Sequence, residues 1–265
     1  MNIEQLKSHA LSARRDIVSM IYESGIGHPG GALSIIDILT WIYNEEVDLS
    51  AMPRARVVMS KGHAVAAQYA MLYQKGKIDR SEFSTFRQIN SRLQGHPSIK
   101  SLPEVDATTG LLGQGLSIAF GMAAAKRQRG ETQRVFAILG DGEMHEGQIW
   151  ETLQQAGHMK IDNLVAIIDY NGFSSHDPVN QVINLEPLAD KVRHFGWHVL
   201  ELQNGNDMHQ VADTLMLSRH LKGKPIAIIA HTTKGCGVSY MENNGDWHSK
   251  TPTTEQYQQA MEELQ

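Results

Sequence analysis

The chain has 265 residues, 41% of them hydrophobic, with 24 basic and 29 acidic side chains for a formal charge of −5. That length and apolar content suit one α/β domain of generous size over residues 1–265, and the negative balance argues against a nucleic-acid surface. The single cysteine, Cys236, excludes a disulfide framework and suits a reducing compartment. No apolar span reaches about 18 residues and no export leader is visible, so a cytoplasmic protein without membrane contact is expected.

Apolar spacing at Leu6, Ala10, Ala13, Ile17 and Ile21 predicts a first helix that stops at Ser24-Gly25. A glycine-rich loop follows, Gly25-Ile26-Gly27-His28-Pro29-Gly30-Gly31. Ser34 with Asp37 then resembles a capped helix start ahead of the face formed by Ile35, Ile38, Leu39 and Ile42. Arg56 to Met59 reads as a strand ending in Ser60-Lys61-Gly62-His63, and Ala64 to Leu72 reads as helical. Residues 87 to 114 are polar and glycine-punctuated, too long for a connector and therefore a candidate functional loop. A helix is expected from Leu116 to Arg127. Continuous apolar runs at Val135 to Leu139 and Leu164 to Ile168 predict strands buried on both faces, joined by a helix presenting Ile149, Trp150, Leu153 and Ala156. Further strands are expected at Trp197 to Leu202 and Ile226 to Ala230. A last helix should start at Thr253, with Gln256 completing a capping box. Alternating strands and helices call for a mainly parallel central sheet flanked by helices on both faces, with strand order left open.

The most informative feature is Gly140-Asp141-Gly142 at the end of one strand, paired with Asn171 at the end of the next. A right-handed crossover brings both ends to the carboxyl edge of the sheet, where open α/β folds bind ligands. Asp141, Asn171 and a main-chain carbonyl just past Asn171 are oxygen ligands of the kind Mg2+ prefers, with phosphate oxygens and water to complete an octahedron. Gly142 lets backbone amides approach a phosphate at a helix start, and Glu146 opens the intervening helix. In Thr108-Thr109-Gly110-Leu111-Leu112-Gly113-Gln114-Gly115, a flat heterocycle packed on Gly110 and Leu112 would explain glycine beside exposed leucine. The run does not match G-x-G-x-x-G, and no P-loop or zinc-ligand spacing occurs. Of 13 histidines, His28, His63, His96 and His248 fall in loops beside glycines or aromatics. Their shared context favours a common polar pocket suited to proton transfer or phosphate contact.

Taken in order, these runs, with Gly95-His96-Pro97, Gly140 to Gly147 and Thr233-Lys234-Gly235-Cys236-Gly237-Val238, resemble the motifs of the transketolase amino-terminal domain, and they cover nearly the whole chain. The resemblance is closest to the amino-terminal subunit of a split, two-chain transketolase. It implies thiamine diphosphate bound with Mg2+ (Ca2+ or Mn2+ as substitutes) on Asp141, Asn171 and the carbonyl of Phe173. Gly142, His63 and His248 would face the diphosphate, and Gly110 and Leu112 the aminopyrimidine. His28, His96 and His248 would surround the thiazolium C2 and the sugar hydroxyls, handling proton transfers as the ketose C2–C3 bond breaks. Glu146 would sit at a subunit interface linking paired cofactor sites.

Leu111, Cys236 and Glu104 depart from the usual pattern, and Glu104 and Leu111 bear on the donor-side loop. In this family the Glu that activates the aminopyrimidine lies on the pyrimidine-binding domain, so the chain is expected to need a carboxyl-terminal partner subunit, in an α2β2 assembly acting on sugar phosphates. Two other readings stand beside this one: the α subunit of a thiamine diphosphate-dependent 2-oxo acid dehydrogenase first component, and a catalytically silent cofactor-binding regulatory subunit. The histidine loops, suited to polyhydroxylated sugars, separate the first alternative from the transketolase reading; the intact Asp141, Asn171 and imidazoles weigh against the second.

Overall fold

The computed structural model describes residues 1–265. Helix α1 (Ile3–Ser24) begins at a capping box formed by Asn2 and Gln5 and ends where Gly25 turns left-handed at φ 72°. Helix α2 spans Pro29–Glu45, with Pro29 in the first turn, where its missing N–H costs nothing. The expected start near Ser34 is therefore corrected. Ser34 and Asp37 lie inside the helix and are buried, spending their polar atoms on tertiary partners rather than on a cap.

Strand β1 (Arg56–Met59) and helix α3 (Val65–Gln74) follow, and residues between Gln88 and Gly113 carry no helix or strand. Then come α4 (Gln114–Gln128), β2 (Val135–Gly140), α5 (Gly147–Met159) and β3 (Leu164–Tyr170). A two-residue hairpin, β4 (Phe173–Ser174) with β5 (Asp177–Pro178), precedes the short α6 (Val179–Val182). The chain closes with α7 (Leu188–His194), β6 (His198–Leu202), α8 (Met208–Ser218), β7 (Ile226–His231) and α9 (Thr254–Glu263). Thr253 caps α9 in the expected box with Gln256. Helices α6, α7 and α8 lie outside the expected elements, although Met208, Val211, Ala212 and Leu215 recur at helical spacing along α8, and Trp150 is only half-buried on α5.

All five long strands run parallel in the order β1-β2-β3-β7-β6. Strand β2 pairs with β3 in a register that sets Gly140 opposite Asp169. Alternation then divides the interior in two. Phe136, Ile138, Val165, Ile167, Ile226 and Ile228 join the core beneath α1, α2, α3 and α8. Val135, Ala137, Leu139, Leu164, Ala166 and Ile168 join the core beneath α4 and α5. Because every strand points the same way, the loops after Met59, Gly140, Tyr170 and His231 leave from one edge. No helix is long and apolar enough to cross a membrane.

Candidate active site

The loop after β2 is organised by Asp141, which is 1% exposed. Its two carboxylate oxygens accept from the amides of Gly142 (2.8 Å) and Gly172 (2.6 Å), joining the ends of β2 and β3. No side-chain cation pairs with it. Burial, and after that the charge of Asp169, push its carboxyl up to about 7.

Asn171 is oriented from behind by Asp169, a fully buried carboxylate. Asp169 accepts from Ser34 Oγ (2.6 Å), Asn171 Nδ2 (3.0 Å), Thr232 Oγ1 and Lys61 Nζ. With its amide nitrogen committed to Asp169, Asn171 turns its Oδ1 to the Phe173 amide at 3.1 Å, an oxygen with a lone pair to spare. Asp141, Asn171 and Phe173 line one cleft with Lys61, His63, Lys234 and His248. A buried carboxylate with lone pairs left and no cation partner, beside an oriented amide oxygen, is an oxygen donor set that fits a hard divalent cation.

Cations and imidazoles ring this clamp. Lys234 is 2% exposed, donates to the Ser175 carbonyl (2.9 Å) and stands over the Phe173 ring. Burial, and then the charge of Lys61, lower its ammonium to about 8. The rings of His28, His63 and His248 form a triangle with centroid separations of 5.5, 5.3 and 5.1 Å. Burial is the main reason that His28 falls to about 4 and His248 to about 3, with neighbouring positive charge adding to it, and His63 is depressed the same way. The three are neutral imidazoles at physiological pH.

His96 stands at the exposed rim on the long loop, its ring against Gly110. Gly110 is at φ 138°, and a Cβ there would lie 2.8 Å from His96 Cγ, so only glycine permits the contact. Leu111 and Leu112 follow, 72% and 38% exposed, presenting apolar surface beside the cleft as expected. Gly142, with its amide on Asp141, borders the clamp, and Glu146 is exposed just before α5.

The structure thus gathers Asp141, Gly142, Asn171, Phe173, His63, Leu112 and His248 around one cleft, with His28 against its imidazoles and Gly110 and His96 on the rim beside them. Glu146, exposed just ahead of α5, is not brought to that cleft. Sequence reasoning passes over Lys61, Glu143, Asp169, His176 and Lys234. Four of these sit within or beside quoted motifs, but a lysine or carboxylate carries no local mark of burial. His176, with its ring 5.3 Å from His248, follows Asn171 closely enough that the loop position could have flagged it.

Fold and cleft together define a class: an α/β domain with an oxygen-donor clamp at the carboxyl edge of a parallel sheet, overhung by imidazoles. The chain belongs to the transketolase family, its residues 7–264 matching the transketolase thiamine diphosphate binding domain. It is 39% identical over 269 residues to one subunit of the apulose-4-phosphate transketolase of Phocaeicola vulgatus, covering 100% of this chain and 95% of that one. It is 35% identical over 265 residues to the 6-deoxy-6-sulfo-D-fructose transketolase subunit SqwG of Clostridium sp. strain MSTE9, covering 98% and 96%. Among solved structures, transketolase from Campylobacter jejuni superposes with a TM-score of 0.92 at 31% identity, over 100% of this chain and 43% of the other. The chain therefore spans less than half of that transketolase, but nearly the full length of the Phocaeicola vulgatus and Clostridium subunits.

Proposed function

We propose that this chain is the cofactor-gripping subunit of a two-chain transketolase, which moves a two-carbon ketol unit from a ketose phosphate to an aldose phosphate. The observation that carries this reading is the Asp141–Asn171 clamp beneath neutral imidazoles, in a chain similar to a transketolase subunit at 39% identity. Both transketolase-subunit relatives weigh against a 2-oxo acid dehydrogenase and against a silent regulatory chain.

The two cores share one sheet, which supports a single cofactor-binding domain over residues 1–265. Asp141, Asn171 and the Phe173 carbonyl would hold Mg2+, or Ca2+ or Mn2+ in its place. Gly142, His63 and His248 would meet the diphosphate, with Lys61 and Lys234 supplying positive charge behind them. Gly110 and Leu112 would pack on the aminopyrimidine. When bound, thiamine diphosphate supplies the carbon nucleophile and electron sink that let a ketose C2–C3 bond break. His28, His96 and His248, their proton affinity lowered by burial, would hold the sugar hydroxyls and share the proton transfers among them.

A carboxyl-terminal partner would bring the pyrimidine-binding domain and its activating Glu, with Glu146 at the contact between paired sites of an α2β2 assembly. The lone cysteine suits a cytoplasmic setting. The relatives' own donors differ, and xylulose 5-phosphate is the default first substrate to assay.

Reconstitution tests the proposal. Ketol transfer is expected only when the purified chain, its partner, thiamine diphosphate and Mg2+ are combined. Transfer by this chain alone, or none from the cofactor-loaded pair across a panel of ketose phosphates, would refute it.

A further inference from the structure

Arg87 lies at the start of the long loop and has no acidic partner. Its guanidinium Nη1 is 3.0 Å from His28 Nδ1, and burial alone accounts for the lowering of its proton affinity. The backbone is bent to put it there: Arg87 sits at φ 63°, a conformation that costs a non-glycine residue about 1 kcal/mol or more. Its amide is tied to the Leu93 carbonyl at 2.8 Å, closing the loop back on itself. The side chain passes over Gly95, where a Cβ would lie 3.1 Å from Arg87 Cζ and Nε. A strained residue, a glycine that clears its path and a missing counter-ion all serve one contact.

That contact has a chemical consequence. A guanidinium has only donors and does not lose its proton in proteins. The facing His28 Nδ1 must therefore be the unprotonated, accepting nitrogen, and the ring proton must sit on Nε2. The other charged or titratable groups around the ring are His63, His96, His248 and Lys234, and none is a carboxylate that could draw a proton onto Nδ1. His28 Nε2 has no protein acceptor.

We infer that Arg87 is a positioning residue that locks His28 in the Nε2–H form, making His28 a fixed hydrogen-bond donor to a substrate oxygen and leaving proton acceptance to the other imidazoles. This rests on the proposed ketol-transfer role and divides labour within it. The depressed proton affinity of His28 agrees, since a second proton would bring N–H against N–H.

The tautomer can be read in the full chain without turnover. With 15N-labelled histidine, and His28 assigned by its loss in His28→Gln, long-range 1H–15N correlation should show a pyrrole-like Nε2 and a pyridine-like Nδ1. Arg87→Met should give mixed tautomers and let His28 protonate about one pH unit higher, while Arg87→Lys, also a pure donor, should restore the single form. In the reconstituted pair, Arg87→Met should lower kcat by about tenfold to a hundredfold and move the acid limb of the pH profile upward, with Arg87→Lys in between. A protonated Nδ1 in the unsubstituted chain, or a His28 spectrum unmoved by Arg87→Met, overturns the assignment. A locked His28 in a pair that performs no ketol transfer would instead overturn the functional reading and leave the tautomer standing.

Discussion

Glu143 ties three loops together with one carboxylate. Its oxygens accept from Ser60 Oγ (2.5 Å) and from the amides of Gly113 (2.9 Å) and Gly140 (3.1 Å), linking the ends of β1 and β2 to the Gly110–Leu112 turn. Glu143→Gln replaces one acceptor with a donor that faces an amide N–H. A loss of roughly 1–3 kcal/mol in urea unfolding, together with weaker thiamine diphosphate binding by calorimetry, is the expected outcome; no change in either would show the tie to be dispensable. Asp16, on α1, has one carboxylate oxygen buried without a partner, and burial pushes its carboxyl up to about 6 against the opposing pull of Gln74, Arg80 and Arg15. The folded chain therefore holds this proton more tightly than the unfolded one, so stability falls as pH rises from about 4 through about 6. Asp16→Asn should raise the unfolding midpoint above pH 7, by roughly 1 kcal/mol after allowing for solvent screening, and do nothing near pH 4. A benefit equal at both pH values would contradict this origin.

Among the elements, α5 shows how closely a helix can approach the turn that ends its neighbour α7. A Cβ on Gly157 would lie 1.8 Å from the Phe195 carbonyl oxygen, a backbone atom that cannot swing aside. Gly157→Ala is expected to cost about 3 kcal/mol or more, read as a lower midpoint in thermal unfolding, although alanine is the better helix former. An unchanged midpoint would mean that α5 slides freely. The same scale explains which elements are legible. The strands at Arg56, Val135, Leu164 and Ile226 stand out because burial on both faces leaves an unbroken apolar run, and α9 because its cap is entirely local. The start of α2 is misleading in the sequence: Gly30 and Gly31 look like loop residues, yet both lie in the helix, and position 30 is glycine because a Cβ there would meet the Trp247 carbonyl at 2.9 Å. Ser34 and Asp37 look like caps, yet they serve Asp169 and Arg14.

At the level of the whole molecule, four strand ends converge on one clamp, so ligand binding should stabilise the fold as a unit. Thiamine diphosphate and Mg2+ together should stabilise the chain by about 2.7 kcal/mol at a hundredfold excess over Kd, visible as a rise in the thermal midpoint, with either component alone giving less. Asp141→Asn should abolish the metal-dependent part of that rise. An equal rise with chelator present would remove the metal from the site.

The sequence by itself determined the strands, the loops that follow them and most residues of the candidate site, because these depend on short-range apolar pattern and on motifs carried in single loops. Tertiary structure alone decided the strand order, which inserts β7 between β3 and β6 and so delivers Lys234 to the clamp. It also chose the partners of the buried charges, Lys61 with Asp169 and Arg14 with Asp37, and set Arg87 against His28. The reason is physical: a residue's neighbours along the chain set its local conformation, but which distant group satisfies a buried charge is settled only when the packed core fixes where every loop must leave the sheet.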